Sequence, residues 1–534
     1  MQPCDAANSN PGLGDVRFQI VTRYPALAKL PAIAAPIMPA PIQPIFVSFV
    51  IDFISHIRSR FVVAIGRFTS INEKTRIFRS GTRAGPRLPY FNDKTIAFKF
   101  VSLNPMPPFI KVISACAATV TLSASAANLP WDWTGIVGTG QSLSVGARAL
   151  PVVSTNQPFH NLKLSTGHLP WPIDPNDTNL ALVPLVEPIG RMAPSYPSSW
   201  PENIDGETPH SAMANQITAL VESNLNRDCV SIHSAVGEDG QGMMYLRKNP
   251  EKKGLNGRSY EAAMIETKAI ARLAQAAGKT YGIGAIIVTH GESDAGNRNY
   301  EKELRQLLED YNADLSAITG QKEKIQMIVS QQNSCNDRSP STLAQWKLSD
   351  DYPADMVCSG PKYQYHSTEG VHLTADGYRQ MGEKYAQVYY ERVILGHDWR
   401  PLEPTTIQRS DAVITVHFHV PVSPLAWETN LAPPHPSIPE WKDAKGFEVS
   451  TSVGEKIAIT SVDISGDAVV ITCSADPGPG ARIGYAMIGE KTRMSSPFPG
   501  TFRWGLLRDS DPFKGFGSGA PQPNYAVAFE LTAP

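Results

Sequence analysis

Gly284-Ala285-Ile286-Ile287-Val288-Thr289 runs directly into His290-Gly291-Glu292-Ser293-Asp294-Ala295-Gly296. The first six residues are small or apolar with no alternating polar position, and they are too few for a helix. They read as a strand buried on both faces, as in a parallel sheet. The polar run then falls at the strand's carboxyl end, where such sheets collect ligands.

The pattern alternates on either side. Upstream, Ser211–Asn224 reads as a helix, Cys229–His233 as a strand and Tyr260–Ala277 as an alanine-rich helix. Downstream, Glu301–Ile318 carries Leu304, Leu307, Leu308, Tyr311 and Leu315 on one stripe. Lys324–Ser330 follows as a strand and Thr374–Val393 as a closing helix. Strands and helices of these lengths in alternation specify βαβ units and an α/β domain with helices on both faces of a largely parallel sheet.

Two more segments belong to the same end of that sheet. Gly135–Thr139 reads as a first buried strand and delivers Gly140-Gln141-Ser142-Leu143-Ser144-Val145-Gly146. A serine between small residues on a strand-to-helix turn is exposed beside helix N–H groups, where negative charge is stabilised. The third segment is Glu369-Gly370-Val371-His372-Leu373-Thr374-Ala375-Asp376-Gly377. Thr374 suits a helix N-cap, so His372 lies in the loop feeding the helix, with Glu369 three residues back to orient its imidazole. A serine, then Glu292, then Glu369 and His372 are the parts of a serine hydrolase, with either glutamate available as the acid.

GQSLSVG, THGESDAG and EGVHLTADGY together resemble the blocks of the SGNH hydrolases, in particular the sialate O-acetylesterase-like and acetylxylan-esterase-like carbohydrate esterases. The resemblance spans about residues 134–395. It implies a flavodoxin-like three-layer αβα domain, Ser142 as nucleophile and His372 as base. The oxyanion hole it implies uses the Ser142 N–H, the N–H of Gly237 or Gly240, and a polar side chain at His290. Leu143, His290 and Glu369 stand where the family usually has Asn, Gln and Asp. The activity expected is that of a carboxylic ester hydrolase removing O-acetyl groups from a carbohydrate. No cofactor or metal is expected, since the histidines form no spaced ligand set. A lipid or polyester esterase with the same triad, and a non-catalytic polysaccharide-binding or adhesin protein, are the alternatives.

The remainder sets the context. A net charge of −2 and 18% charged residues over 534 residues argue against a nucleic-acid partner. Residues 1–105 differ from the rest, with 13 Lys and Arg against 5 Asp and Glu and a proline-rich run over 25–44. Their apolar stretch, Ile45–Ile54, is too short to span a bilayer. From Met106, Lys111, the apolar run Val112–Leu122 and Ala124-Ser125-Ala126 follow the order of a signal peptide. The expected division is therefore a basic extension over 1–105, a signal peptide over 106–126, a hydrolase domain over 127–400 and a C-terminal antiparallel β-sandwich over 401–534. The mature protein, secreted or periplasmic, would begin at Ala127. In an exported chain Cys335 and Cys358 are expected to pair. Trp427, Trp441 and Trp504 are core aromatics or, if exposed, sugar-stacking surfaces.

Overall fold

Strand β1 (Trp133–Gly140) is buried along all but its first residue because parallel neighbours flank it on both sides. A computed structural model describes residues 127–534 apart from 167–168, 170, 196, 198–199, 250–255, 368 and 492–500. The extension over 1–105 and the signal segment over 106–126 lie outside the described residues. The other strands of the sheet are β2 (Leu162–Leu164), β3 (Leu182–Pro184), β4 (Val230–Ala235), β5 (Tyr281–Thr289), β6 (Gln326–Gln331) and β7 (Met356–Pro361). Their order is β3-β2-β4-β1-β5-β6-β7, parallel except for β2 against β3. The five strands from β4 to β7, numbered along the chain, stand in the doubly wound order 2-1-3-4-5.

The helices are α1 (Pro209–Leu225), α2 (Met243–Leu246), α3 (Arg258–Ala276), α4 (Tyr300–Thr319), α5 (Pro340–Asp351) and α6 (Ala375–Tyr389). Strand alternation decides which face each covers. Ile136, Ala285, Ile287, Ile328 and Val357 pack with Met213, Ile217 and Val221 of α1 and with Tyr378, Met381 and Tyr385 of α6. Their strand neighbours Val137, Ile286, Val288, Met327 and Val329 point the other way, to Tyr260 of α3, Leu304 and Leu307 of α4 and Leu348 of α5. Burying each of the larger aliphatic side chains among these is worth about 1.5–3 kcal/mol, so both helical layers are held to the sheet.

The elements differ from the sequence expectation in two places. α5 and β7 stand where only loop was expected, and within the 151–210 stretch β3 falls on the strand expected over Leu180–Leu185 whereas β2 was not expected. α5 buries Ser341, Thr342 and Gln345 and so shows no apolar stripe. The expected Cys335–Cys358 disulfide is absent. Cys358 sits within β7 opposite Val329 of β6, whereas Cys335 follows the end of β6, so the two lie at different levels along the sheet.

Beyond residue 400 the structure is antiparallel β. Its strands are β8 (Glu403–Ser410), β9 (Val413–His419), β10 (Ala426–Trp427), β11 (Phe447–Ser450), β12 (Ile459–Ser465), β13 (Ala468–Cys473), β14 (Arg482–Tyr485), β15 (Glu490–Lys491), β16 (Thr501–Phe502), β17 (Leu507–Arg508) and β18 (Phe529–Thr532). A sheet of order β12-β13-β9-β8 meets one of order β11-β14-β18 through Phe418, Phe447, Tyr485 and Phe529. Trp441 is buried with its Nε1 on Ile457 O at 3.1 Å, and Trp504 Nε1 donates to Ala432 O at 2.8 Å. Trp441 is thus a core aromatic, Trp504 is partly buried with its ring centroid 5.5 Å from that of Phe502, and Lys445 Nζ lies 4.7 Å from the Trp427 ring centroid.

Between α1 and β4 two fully buried imidazoles face each other, His210 Nδ1 to His233 Nδ1 at 3.1 Å. Burial lowers His210 to about 4 from its ordinary 6.5, and burial together with His210 takes His233 well below that ordinary value. Unfolded, both take up protons near 6.5, while the folded pair stays neutral. Their contribution is therefore intact above 6.5 and is lost as pH falls towards 4, by about 3 kcal/mol for His210 alone. Urea midpoints measured at pH 7 and pH 4.5 should differ less in His210→Gln than in the wild type. An equal difference in the two would show that the pair does not carry this acid sensitivity.

Candidate active site

β1 ends at Gly140, and the chain turns there with φ +143, the Thr289 carbonyl standing where a Cβ would go. The turn is clasped from both sides. Gln141 N–H donates to Thr289 O of β5 at 3.1 Å, and Glu238 N–H, just past β4, donates to Gly140 O at 3.0 Å. Ser142–Ser144 then form one 3-10 turn, closed by the Ser144 N–H and Oγ, each on Gln141 O at 2.7 Å. Ser142 opens that turn, so its N–H has no acceptor within it. The residue is 3% exposed.

Gly237 is pressed against the same turn: a side chain there would overlap Ser144 Oγ and stand 2.9 Å from Gly140 O. Asn203 Nδ2 donates to the Gly237 carbonyl at 2.8 Å, and the Gly237 N–H makes no backbone hydrogen bond among the described residues. Gly240, by contrast, occupies an exposed turn with φ +68, where a Cβ would meet nothing within 4 Å.

The His372 loop folds back on itself before α6. Ser367 and Leu373 form an antiparallel bridge, Thr374 N–H donates to His366 O at 2.9 Å, and Thr374 Oγ1 accepts the Gly377 N–H at 3.1 Å as the N-cap. His372 is buried, and its Nδ1 is hydrogen-bonded to Glu369 Oε1. The loop and α6 each make one contact with the segment just after the serine turn. Arg148 Nε lies 3.8 Å from Glu369 Oε2, and Tyr378 Oη of α6 donates to Ala147 O at 3.0 Å. Asp239, which no motif in the sequence marks, is within electrostatic reach of His372 and Arg148. Burial raises its carboxyl against the pull of both.

The HGESDA block holds this arrangement together from below. Ser293 N–H donates to Gln141 Oε1 at 2.9 Å, and Asp294 Oδ2 accepts the Met243 N–H at 2.6 Å. His290, expected as an oxyanion donor, is engaged at both ring nitrogens. Nε2 bonds Gln241 O at 3.0 Å and Nδ1 bonds Tyr300 Oη at 3.1 Å, with the rings stacked. Both bonds direct the imidazole away from that role. Glu292, the other candidate acid, pairs with Lys362 Nζ at 2.7 Å, both buried. Burial alone would raise the Glu292 carboxyl, but the adjacent Lys362 ammonium outweighs it and holds it below the ordinary range. Its Oε2 is buried without a hydrogen-bond partner.

A cavity of about 340 Å³ opens at the amino ends of β6 and β7, lined by Arg305, Leu308, Tyr352 and Met356. It lies at the opposite end of the sheet from Ser142. Its charges are internally matched, Arg305 with Glu309 at 3.0 Å and Lys324 with Asp355 at 2.6 Å, and it offers no nucleophile. Ligand chemistry belongs to the carboxyl end.

Residues 214–391 match the family described as carbohydrate esterase, sialic acid-specific acetylesterase, and it is this kind of carbohydrate esterase that the chain resembles. Among solved structures, a carbohydrate acetylesterase from Xanthomonas citri is similar at 13% identity over 75% of this chain and 80% of that one, with a TM-score of 0.47. A protein from Arabidopsis thaliana is similar at 16% identity over 49% and 100%, TM-score 0.34. A carbohydrate acetylesterase from Sinorhizobium meliloti is similar at 12% identity over 48% and 97%, TM-score 0.26. No curated protein matches the chain.

The buried Lys362–Glu292 pair gives a direct test of what supports the site. Lys362→Met leaves the Glu292 charge buried without its cation and should cost about 3–5 kcal/mol in urea unfolding. Adding Glu292→Leu should restore most of that loss. A single variant as stable as the wild type would mean that the pair does not support this end of the sheet.

Proposed function

We propose, starting from the carbohydrate-esterase family that residues 214–391 match, that the protein is a serine O-acetylesterase with an SGNH-type domain, acting on an acetylated carbohydrate through an acyl-enzyme. The observation that carries this reading is the Glu369–His372 hydrogen bond, held against the segment just after the serine turn by Arg148 and Tyr378. With Nδ1–H donated to Glu369, Nε2 is the basic nitrogen of His372. It takes the Ser142 proton as Oγ attacks the acetyl carbonyl. The N–H groups of Ser142 and Gly237 stabilise the oxyanion, and His372 returns the proton to the departing sugar hydroxyl. Water activated by the same imidazole then releases acetate. Glu369 serves as the orienting acid in this reading, since the Glu292 carboxylate is occupied by Lys362.

Hydrolysis of p-nitrophenyl acetate tests the assignment. Ser142→Ala and His372→Ala should each lower kcat by about 10⁴, and Glu369→Gln by about 10² or more. An inactive wild type, or a Ser142→Ala variant at full activity, would sink the enzyme reading. Efficient turnover of long-chain acyl esters would move it to the lipid esterases. The same proposal has the protein exported, its signal peptide removed before Ala127. N-terminal sequencing of exported material should begin near that residue, and a mature species that keeps residues 1–105 would overturn it.

A further inference from the structure

The turn that follows β4 is pinned at both ends. Glu238 N–H donates to Gly140 O at 3.0 Å, and His290 Nε2 bonds Gln241 O at 3.0 Å. Between these anchors Gln241 N–H closes on Glu238 O at 3.4 Å, with Asp239 and Gly240 at the two central positions and Gly240 supplying the positive φ that such a turn needs. Of the two acids in the turn, Glu238 is buried and paired with Arg258. Asp239 is half-buried, and its carboxyl accepts no hydrogen bond from the described residues. It stands two residues beyond Gly237, which is pressed against the serine turn, and within electrostatic reach of both His372 and Arg148. A rigid turn thus presents a carboxyl group to the imidazole without using that group to hold itself together.

The charges set around His372 come from three elements. Glu369 of its own loop bonds Nδ1, Asp239 approaches from the turn after β4, and Arg148 reaches in from the segment after the serine turn, 3.8 Å from Glu369 Oε2. Arg258 is paired with Glu238 of the same turn as Asp239, and Arg379 at the start of α6 is paired with Asp376. In the esterase reading His372 becomes a cation when it takes the Ser142 proton. A nearby carboxylate favours that cation and a nearby guanidinium opposes it, each by an amount that partial exposure to water reduces. Asp239 and Arg148 therefore act on the imidazole with opposite signs.

We propose that Asp239 is a positioning residue of the esterase, a second carboxylate that acts through His372 by stabilising its imidazolium during acyl transfer, with Arg148 as the opposing charge. The proposal rests on the esterase reading above. The test is the pH profile of kcat/KM for p-nitrophenyl acetate in the wild type and in the Asp239→Asn, Asp239→Glu and Arg148→Gln variants, at about 0.05 M and about 0.5 M NaCl. The neutral imidazole is the active form, so Asp239→Asn should carry the acid limb to lower pH by about half a unit and lower kcat about threefold. Arg148→Gln should carry the same limb to higher pH by about as much. Asp239→Glu should restore most of the wild-type profile, and the higher salt should shrink both shifts. A general loss of folding cannot move the limb in opposite directions in the two variants. Limbs that stay within about 0.2 units of the wild type in both, or that move the same way, would overturn the assignment. So would an Asp239→Asn variant whose KM rises while its limb stays in place, the mark of a substrate contact. An inactive wild type would remove the esterase reading and this role together, whereas unmoved limbs in active variants would remove this role alone.

Discussion

The backbone clasp at the end of β1 is the constraint on which the rest of the site depends. Gly140 accepts from Glu238 on one side while Gln141 donates to Thr289 on the other, so the first turn after the central strand is pinned to both parallel neighbours at once. Only glycine fits, because a Cβ at φ +143 would occupy the Thr289 carbonyl. With the turn fixed, Ser142 has no freedom to leave the carboxyl end of the sheet. Gly237 is brought against it because Glu238 is a partner in the same clasp. The N–H groups of Ser142 and Gly237, the donors of the proposed oxyanion hole, are positioned by these same backbone bonds.

A second constraint sets where the His372 loop lies. α6 packs Tyr378, Met381 and Tyr385 on the same side of the sheet as α1, and Tyr378 reaches Ala147 through its hydroxyl. The loop ahead of α6 is closed by its own bridge and by the Thr374 cap, so His372 and Glu369 move as one unit with the helix. Arg148 joins the two halves through Glu369, at a non-glycine residue with φ +65. Left-handed backbone at such a position is uncommon and persists where surrounding contacts hold it. Here the contacts are those of the site itself.

The parts legible in the sequence are those set by short-range pattern. GAIIVT declared its own burial, the leucine stripe of α4 its inner face, and Thr374 its cap, because each signal repeats within a turn or two of chain. What escaped was set by long-range pairing. Lys362 is 70 residues from Glu292 and carries no local mark of its partner. Asn203 acts on Gly237 from 34 residues away. α5 was illegible because only Ala344 and Leu348 of its buried face are apolar, while Ser341, Thr342 and Gln345 bond Gly291 O, Gln332 O and His290 O respectively. His290 shows the complementary error. Its place in a motif suggested a donor to the reaction, yet Tyr300 and Gln241 engage both nitrogens, and neither could be located from the motif.

The strands beyond residue 400 answer charges that the α/β layer buries. Glu383 of α6 accepts the N–H groups of Gly517 and Ser518 at 2.8 and 2.7 Å, and the neighbouring Lys384 donates to Gln522 O and Asn524 Oδ1 at 2.8 and 3.0 Å. Arg503 returns the favour, its buried guanidinium donating to Thr342 Oγ1 at 2.8 Å above the loop that follows β6. Burying an ion without a partner costs several kcal/mol, so neither part is indifferent to the other. Since α6 also carries the His372 loop, contacts of the β region with Glu383 and Lys384 bear on the placement of the imidazole. The β region therefore belongs to the scaffold of the candidate site, through the charges on α6 rather than through any residue at the serine turn.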